Sequence, residues 1–230
     1  MTVFSELRMR PATAERWGWD ASTTARLVMA GVVIFTLLVG ANLATPLYPL
    51  LQAKLGITAL DVTVAFSAYV LALVATLILA GHWSDHIGRR AALVLAVLVG
   101  LAGGSVFATA DSLFALCTGR ALQGIAVALA TGASSAALRE LLPSRPEWAS
   151  RFTLLASAGG VAAGPAIGGV LSLLPGPTST PYFLHSMVLA ALLVPLSLLK
   201  ARPAITSVAD RKSTRQNSSH GRISRMPSSA

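Results

Sequence analysis

Charge is what this chain has least of. Only 12% of its 230 residues are Asp, Glu, Lys or Arg, where an ordinary soluble domain carries about 25%. Acidic side chains are the scarcer sign, 9 against 18 basic ones, and none falls deep inside an apolar run. Cysteine is nearly absent too. A lone Cys117 forms no intrachain disulfide, so a disulfide-stapled fold is excluded. No short apolar stretch with a small-residue cleavage site follows the early arginines, which excludes a cleaved signal peptide.

What is abundant is apolar, 54% of the chain. These residues come in membrane-length runs rather than amphipathic stripes, so the chain reads as an all-α integral membrane protein whose first partner is the lipid bilayer. The net charge of +9 raises the question of a nucleic-acid partner. The basic residues flank apolar runs and form no solvated stripe, which argues against one.

The runs predict six transmembrane helices, at about 27–51, 62–81, 91–110, 113–138, 152–174 and 181–199, within a membrane domain of 27–200. Residues 1–26 form a polar leader of mixed charge, in which Trp17 and Trp19 suit the headgroup layer. Pro46 and Pro49 should end or kink the first span. The link Gln52 to Asp61 and the loop Arg139 to Arg151 are expected to join spans, and Pro175-Gly176-Pro177 to turn the chain. Alternating sides puts Arg8, Arg10, Arg16, Arg26, Arg89, Arg90, Arg139, Arg145, Arg151, Lys200 and Arg202 together, with Lys54 alone opposite. That asymmetry places both termini and the 81–90 loop in the cytoplasm, in a multi-pass protein of the inner (plasma) membrane.

Three stretches carry more than topology. The loop Gly81-His82-Trp83-Ser84-Asp85-His86-Ile87-Gly88-Arg89-Arg90 is a dense charged island between the second and third spans. Its glycines permit a tight reversal, and Asp85 wants a positive partner. Arg120 lies inside the fourth span, where a charge costs at least ~2.5 kcal/mol near the bilayer centre. Arg120, Gln123, Thr131 and Ser134 share one helical face, a stripe suited to a water-filled cavity. Asn42 with Thr45, and Tyr69 with Thr76, add polar faces on the first two spans. On the fifth span Gly160, Gly164 and Gly168 recur every fourth residue beside Pro165 and Gly169, making a groove for close helix approach.

These stretches together resemble the major facilitator superfamily. The loop is similar to the family signature G-x-L-x-D-r-x-G-r-k-x-x-l, with Gly81, Asp85, Gly88, Arg89, Arg90 and Leu93 on it, Trp83 in place of leucine and His86 in place of a basic residue. Leu116, Arg120, Gln123 and Gly124 resemble the family's fourth-helix motif, and the fifth-span glycines with Pro165 resemble the motif that marks its proton-linked exporters. The resemblance implies the N-terminal half of a major facilitator fold, two three-helix units of inverted topology. It implies a gate latch at the 81–90 loop and proton coupling at Arg120, with Gln123, Thr131, Asn42 and Tyr69 around the cavity. It further implies a secondary transporter, an antiporter for efflux of small hydrophobic or amphiphilic compounds with protons as coupling ion. No cofactor, catalytic residue or metal is implied. The six spans hold no acidic residue at depth, so the proton-carrying group is not named by the sequence.

Residues 201–209 read as the start of a central linker. Residues 210–230 resemble a translated short-read library adaptor: Asp210 to His220 matches it except at Gln216, and Ser224 to Ala230 matches a later segment. A frame interrupted there would lack the C-terminal half. Two other function classes remain. One is an intramembrane serine protease pairing Ser134 or Ser135 with His185, although the second glycine of Gly-x-Ser-Gly is missing. The other is a non-transporting scaffold or receptor on the same fold.

Overall fold

The computed structural model describes residues 19–80, 87–142 and 146–200. The polar leader to Gly18, Gly81 to His86, Pro143 to Arg145 and everything from Ala201 onward lie outside the described residues. Helices form where the apolar runs predict them: α1 (Thr23–Asn42), α2 (Ala44–Leu55), α3 (Ala59–Ala80), α4 (Arg89–Ala108), α5 (Leu113–Leu141), α6 (Pro146–Leu171) and α7 (Thr180–Leu198). Taken with α2 as the continuation of α1, they give six membrane-length helices, an all-α bundle.

Helix ends follow from local chemistry. Ser22 and Ser112 cap α1 and α5, each hydroxyl accepting from the backbone N–H three residues on. Thr58 and Asp61 form a reciprocal box at the start of α3: the Thr58 hydroxyl accepts from Asp61 N, and Asp61 accepts from Thr58 N. The first span runs further than the expected 27–51, from Thr23 to Leu55, and it breaks at Leu43. The break has a steric origin. The ring of Pro46 opposes the carbonyl four residues back, which belongs to Asn42, the last residue of α1. The helix resumes through Pro49 and stops at Gly56, whose φ of 66° only glycine adopts without strain. The expected 52–61 link therefore shrinks to the turn before α3.

The largest departure is at α6. The span expected from 152 begins at Pro146, and α5 continues to Leu141, so most of the anticipated 139–151 loop is helix. Proline at the first helical position and Glu147 in the first turn are start signals that outweigh the polar look of the stretch.

The interior is built on α1, α4 and α5. Val33, Ile34, Leu37, Ala96, Val97, Ala126, Ala130, Leu189 and Leu196 form its main cluster, and Leu43, Leu47, Phe107, Leu116 and Tyr182 a second. α4 meets α5 at small residues: a Cβ on Gly103 would stand 3.0 Å from Gln123 N, and one on Gly119 3.0 Å from Phe107 N. At the end carrying Arg89, the backbone of Trp19 accepts from Lys200 N and donates to Leu198 O, tying the start of the described chain to the end of α7.

Candidate functional site

Arg120 sits in the bundle interior, 3% exposed. Its Nη1 donates to Ala41 O at 2.6 Å and to Gln123 Oε1 at 2.8 Å, and its guanidinium lies 4.4 Å from the ring centroid of Tyr69. It makes no ion pair among the described residues. The Arg-x-x-Gln-Gly spacing accounts for this cage. Residues three apart meet on one helix face, so Gln123 reaches Arg120. Gly124 admits the α3 backbone: a Cβ there would run into Tyr69 O and stand 3.1 Å from Leu73 N. That close approach brings the Tyr69 ring beneath the charge, a desolvated cation–π contact.

The polar stripe on α5 is turned inward against α1. Arg120 binds the Ala41 carbonyl and Ser134, fully buried, donates to Ala30 O at 3.0 Å. Thr131 is half-buried and donates to Val127 O in its own helix, and so stands apart from the Arg120 cage. Asn42 donates to Leu38 O and belongs to a different contact, the α1–α6 seam.

That seam is the glycine groove. Added Cβ atoms would stand 2.6 Å from Phe35 O at Gly160, 2.5 Å from Asn42 Cβ at Gly164 and 2.8 Å from Leu43 O at Gly168. The backbone of α1 thus lies in the groove from Phe35 to Leu43. Pro165 is accommodated within α6. A Cβ on Gly169 would meet nothing within 4 Å, so packing within this bundle does not require glycine there.

Of the loop signature, Gly81 and Asp85 lie outside the described residues. Gly88 precedes α4 with φ 88°, a conformation that calls for glycine although a side chain would have room. Arg89 donates to Glu140 Oε1 through Nε at 3.0 Å and Nη2 at 2.8 Å, joining α4 to the end of α5. Arg90 donates to the carbonyls of Leu196 at 3.2 Å and of Ser197, capping the C-terminus of α7.

Sequence reasoning missed two participants, Tyr48 and Tyr182, and weighed a third, His185, only as a partner for a serine. Tyr48 on α2 and Tyr182 on α7 bury hydroxyls without partners among the described residues, and His185 turns its Nε2 to Thr36 O at 2.9 Å. Each is a single polar side chain in an apolar run, and only the tertiary packing gathers them. The same geometry separates Ser134 from His185, and Ser135 donates to Gly132 O in its own helix. Ser134 is bonded to Ala30 O and His185 to Thr36 O, carbonyls six residues apart on α1, or about 9 Å along the axis.

A family model described as Major Facilitator Superfamily matches residues 30–227. The tetracycline resistance protein, class E, of Escherichia coli is 35% identical over 151 residues, 62% of this chain and 36% of that protein. The bacillibactin exporter of Bacillus subtilis is 27% identical over 104 residues, 43% of this chain and 26% of its own. An uncharacterized MFS-type transporter of Mycobacterium tuberculosis is 28% identical over 166 residues, 70% of this chain and 24% of that protein. The chain thus spans about a quarter to a third of the lengths of these relatives.

Proposed function

The chain belongs to the Major Facilitator Superfamily, a family of membrane transporters rather than enzymes, and from that premise we propose that it is the N-terminal half of a proton-linked exporter of small hydrophobic or amphiphilic compounds. The observation that carries this reading is Arg120, a charge held in the bundle interior with no acidic partner among the described residues. A buried guanidinium is costly and persists where it has work to do. Two relatives named for resistance and export favour outward transport. Alternating access would rock this bundle against a second half. Arg89 and Arg90, which tie α4 to α5 and α7, would make the bundle move as one body at its cytoplasmic end.

In this reading residues 201–209 begin the linker to the second half, and the adaptor-like stretch 210–230 has no part in transport, although the family match reaches residue 227. The test is proteoliposomes of a whole protein recovered from an uninterrupted gene, loaded with a fluorescent amphiphilic cation under an imposed pH gradient. Arg120→Ala should lower gradient-driven transport at least about tenfold while substrate-independent folding is kept. Undiminished gradient-driven transport in that variant would refute a coupling role.

A further inference from the structure

The start of α6 presents an outer face that takes no part in the Arg120 cage or the glycine groove. Ala149 is buried in a cluster with Ala30 and Leu138, which turns the other side of these turns outward. Trp148, Arg151, Phe152 and Leu155 recur at helical spacing on that side, and all four are exposed. The Arg151 guanidinium stands 5.2 Å from the Trp148 ring centroid, and the Trp148 and Phe152 rings are 6.3 Å apart. Glu147, also exposed, lies one turn before Arg151.

An acid four residues before a base is an arrangement that pairs readily on a helix. Here the guanidinium lies over the tryptophan instead, and neither Glu147 nor Arg151 makes an ion pair among the described residues. Stacking on a ring occupies the face of a guanidinium and leaves its N–H edge open to an oxygen anion. Two opposite charges therefore stand side by side, each open to an outside partner. Their depths differ. The apolar part of α6 begins at Phe152, so Arg151 lies about 6 Å nearer the hydrocarbon than Glu147. A tryptophan beside them suits the headgroup layer, and the exposed Phe152 and Leu155 continue the face into the layer of acyl chains.

We propose that this face binds a phospholipid whose headgroup carries a primary ammonium, phosphatidylethanolamine, with its phosphate on Arg151 and its ammonium on Glu147. Such a lipid has its phosphate next to the glycerol and its ammonium farther out, which is the order of Arg151 and Glu147 along α6. The dipole of the first turn of α6 adds to the attraction for the phosphate. A headgroup with a phosphate and no ammonium brings only negative charge and is repelled by Glu147. A choline headgroup has both charges but no N–H, so it cannot donate to the carboxylate. An acyl chain lies along Phe152 and Leu155, and the bound lipid holds the start of α6 at one depth in the bilayer.

The test places the chain in nanodiscs of phosphatidylethanolamine, phosphatidylcholine and phosphatidylglycerol in equal parts, and native mass spectrometry counts the lipids that stay bound. Phosphatidylethanolamine should be retained about threefold or more over either of the others. Glu147→Gln should turn the preference toward phosphatidylglycerol, and Arg151→Gln should lower retention of phosphatidylethanolamine about threefold or more. Exchanging the charges, Glu147→Arg with Arg151→Glu, should not restore retention, because it reverses their order in depth. Both side chains are exposed, so circular dichroism should show the helices kept in every variant. Equal retention of phosphatidylglycerol by the parent, an unchanged preference in Glu147→Gln, or full retention in Arg151→Gln or in the exchanged pair would overturn the proposal. A benzophenone side chain at position 152 should attach to lipid. Attachment to a second copy of the chain, or to the second bundle in the whole protein, would give this face another occupant and overturn it equally. None of these measurements needs transport, so they fail separately from the exporter reading.

Discussion

At the residue scale, Arg120 sits where two requirements meet. Its charge is matched by dipoles and a π face in place of a carboxylate: Ala41 O, Gln123 Oε1 and the Tyr69 ring. Because the ring face rather than the hydroxyl meets the guanidinium, Tyr69→Phe should change stability by no more than about 0.5 kcal/mol, whereas Tyr69→Leu should cost about 1–2 kcal/mol. Unfolding of the chain in mixed micelles, followed by circular dichroism, measures both; equal losses would remove the cation–π contact from the account. Arg120 and Gln123 were legible in the sequence because a charge inside an apolar run stands out. Tyr69 was legible as a polar position on the second span, whereas the places of Tyr48, Tyr182 and His185 in the same interior were not. An isolated Tyr48, Tyr182 or His185 in an apolar run has the pattern of an interfacial anchor or a filled core position, and nothing local says that α2, α5 and α7 will bring them together.

At the scale of elements, the contacts that assemble the bundle are backbone approaches rather than apolar side-chain interdigitation. Lipid tails are as apolar as leucine, so burying leucine between helices offers little, and close packing of small residues drives association. The α6 groove shows this most sharply. Gly164→Val must push α6 away from Asn42 and Val39 on α1, and a loss of about 1–3 kcal/mol is expected. Gly169→Ala, with open space around it, should stay within about 0.5 kcal/mol and gain from helix propensity. Thermal unfolding of the two variants side by side distinguishes them, and a Gly164→Val bundle as stable as the parent would mean that the groove is not a packing contact. The four-residue glycine period was readable in advance; its partner was not, because a groove does not say which helix fills it. Helix boundaries were misjudged where two signals competed. The steric reach of Pro46 back to Asn42 sets the α1 break, and Pro146 with Glu147 starts α6 inside a stretch whose charges look like loop.

At the scale of the whole molecule, the decisive quantity is how much of each helix the bundle leaves uncovered. A pocket for a drug-sized compound measures roughly 300–1,000 Å³, and a cavity beside Gln123 and His185 holds about 10 Å³. That cavity is too small to pass such a compound, so on the exporter reading the path runs along a face of the bundle. Three helices are mostly uncovered: 6% of the α3 span, 17% of the α6 span and 22% of the α7 span are buried, against 61% for the span containing α1 and α2. Leu71, Ile78 and Leu79 on α3 and Leu154, Leu155 and Val170 on α6 stand exposed on them. Apolar surface of that kind costs nothing against lipid, and it is equally ready to meet a second bundle. If the exporter reading holds, this chain inserts and folds by itself but moves nothing. Proteoliposomes containing it alone should show no gradient-driven accumulation of an amphiphilic dye above protein-free vesicles. Co-reconstitution with the second half, expressed as a separate chain, should restore accumulation, because the two faces need only meet and not be joined. Accumulation by the chain alone would place the path inside the six helices and sink the two-half account. Failure of the pair, with the intact protein active, would assign the linker a role beyond tethering.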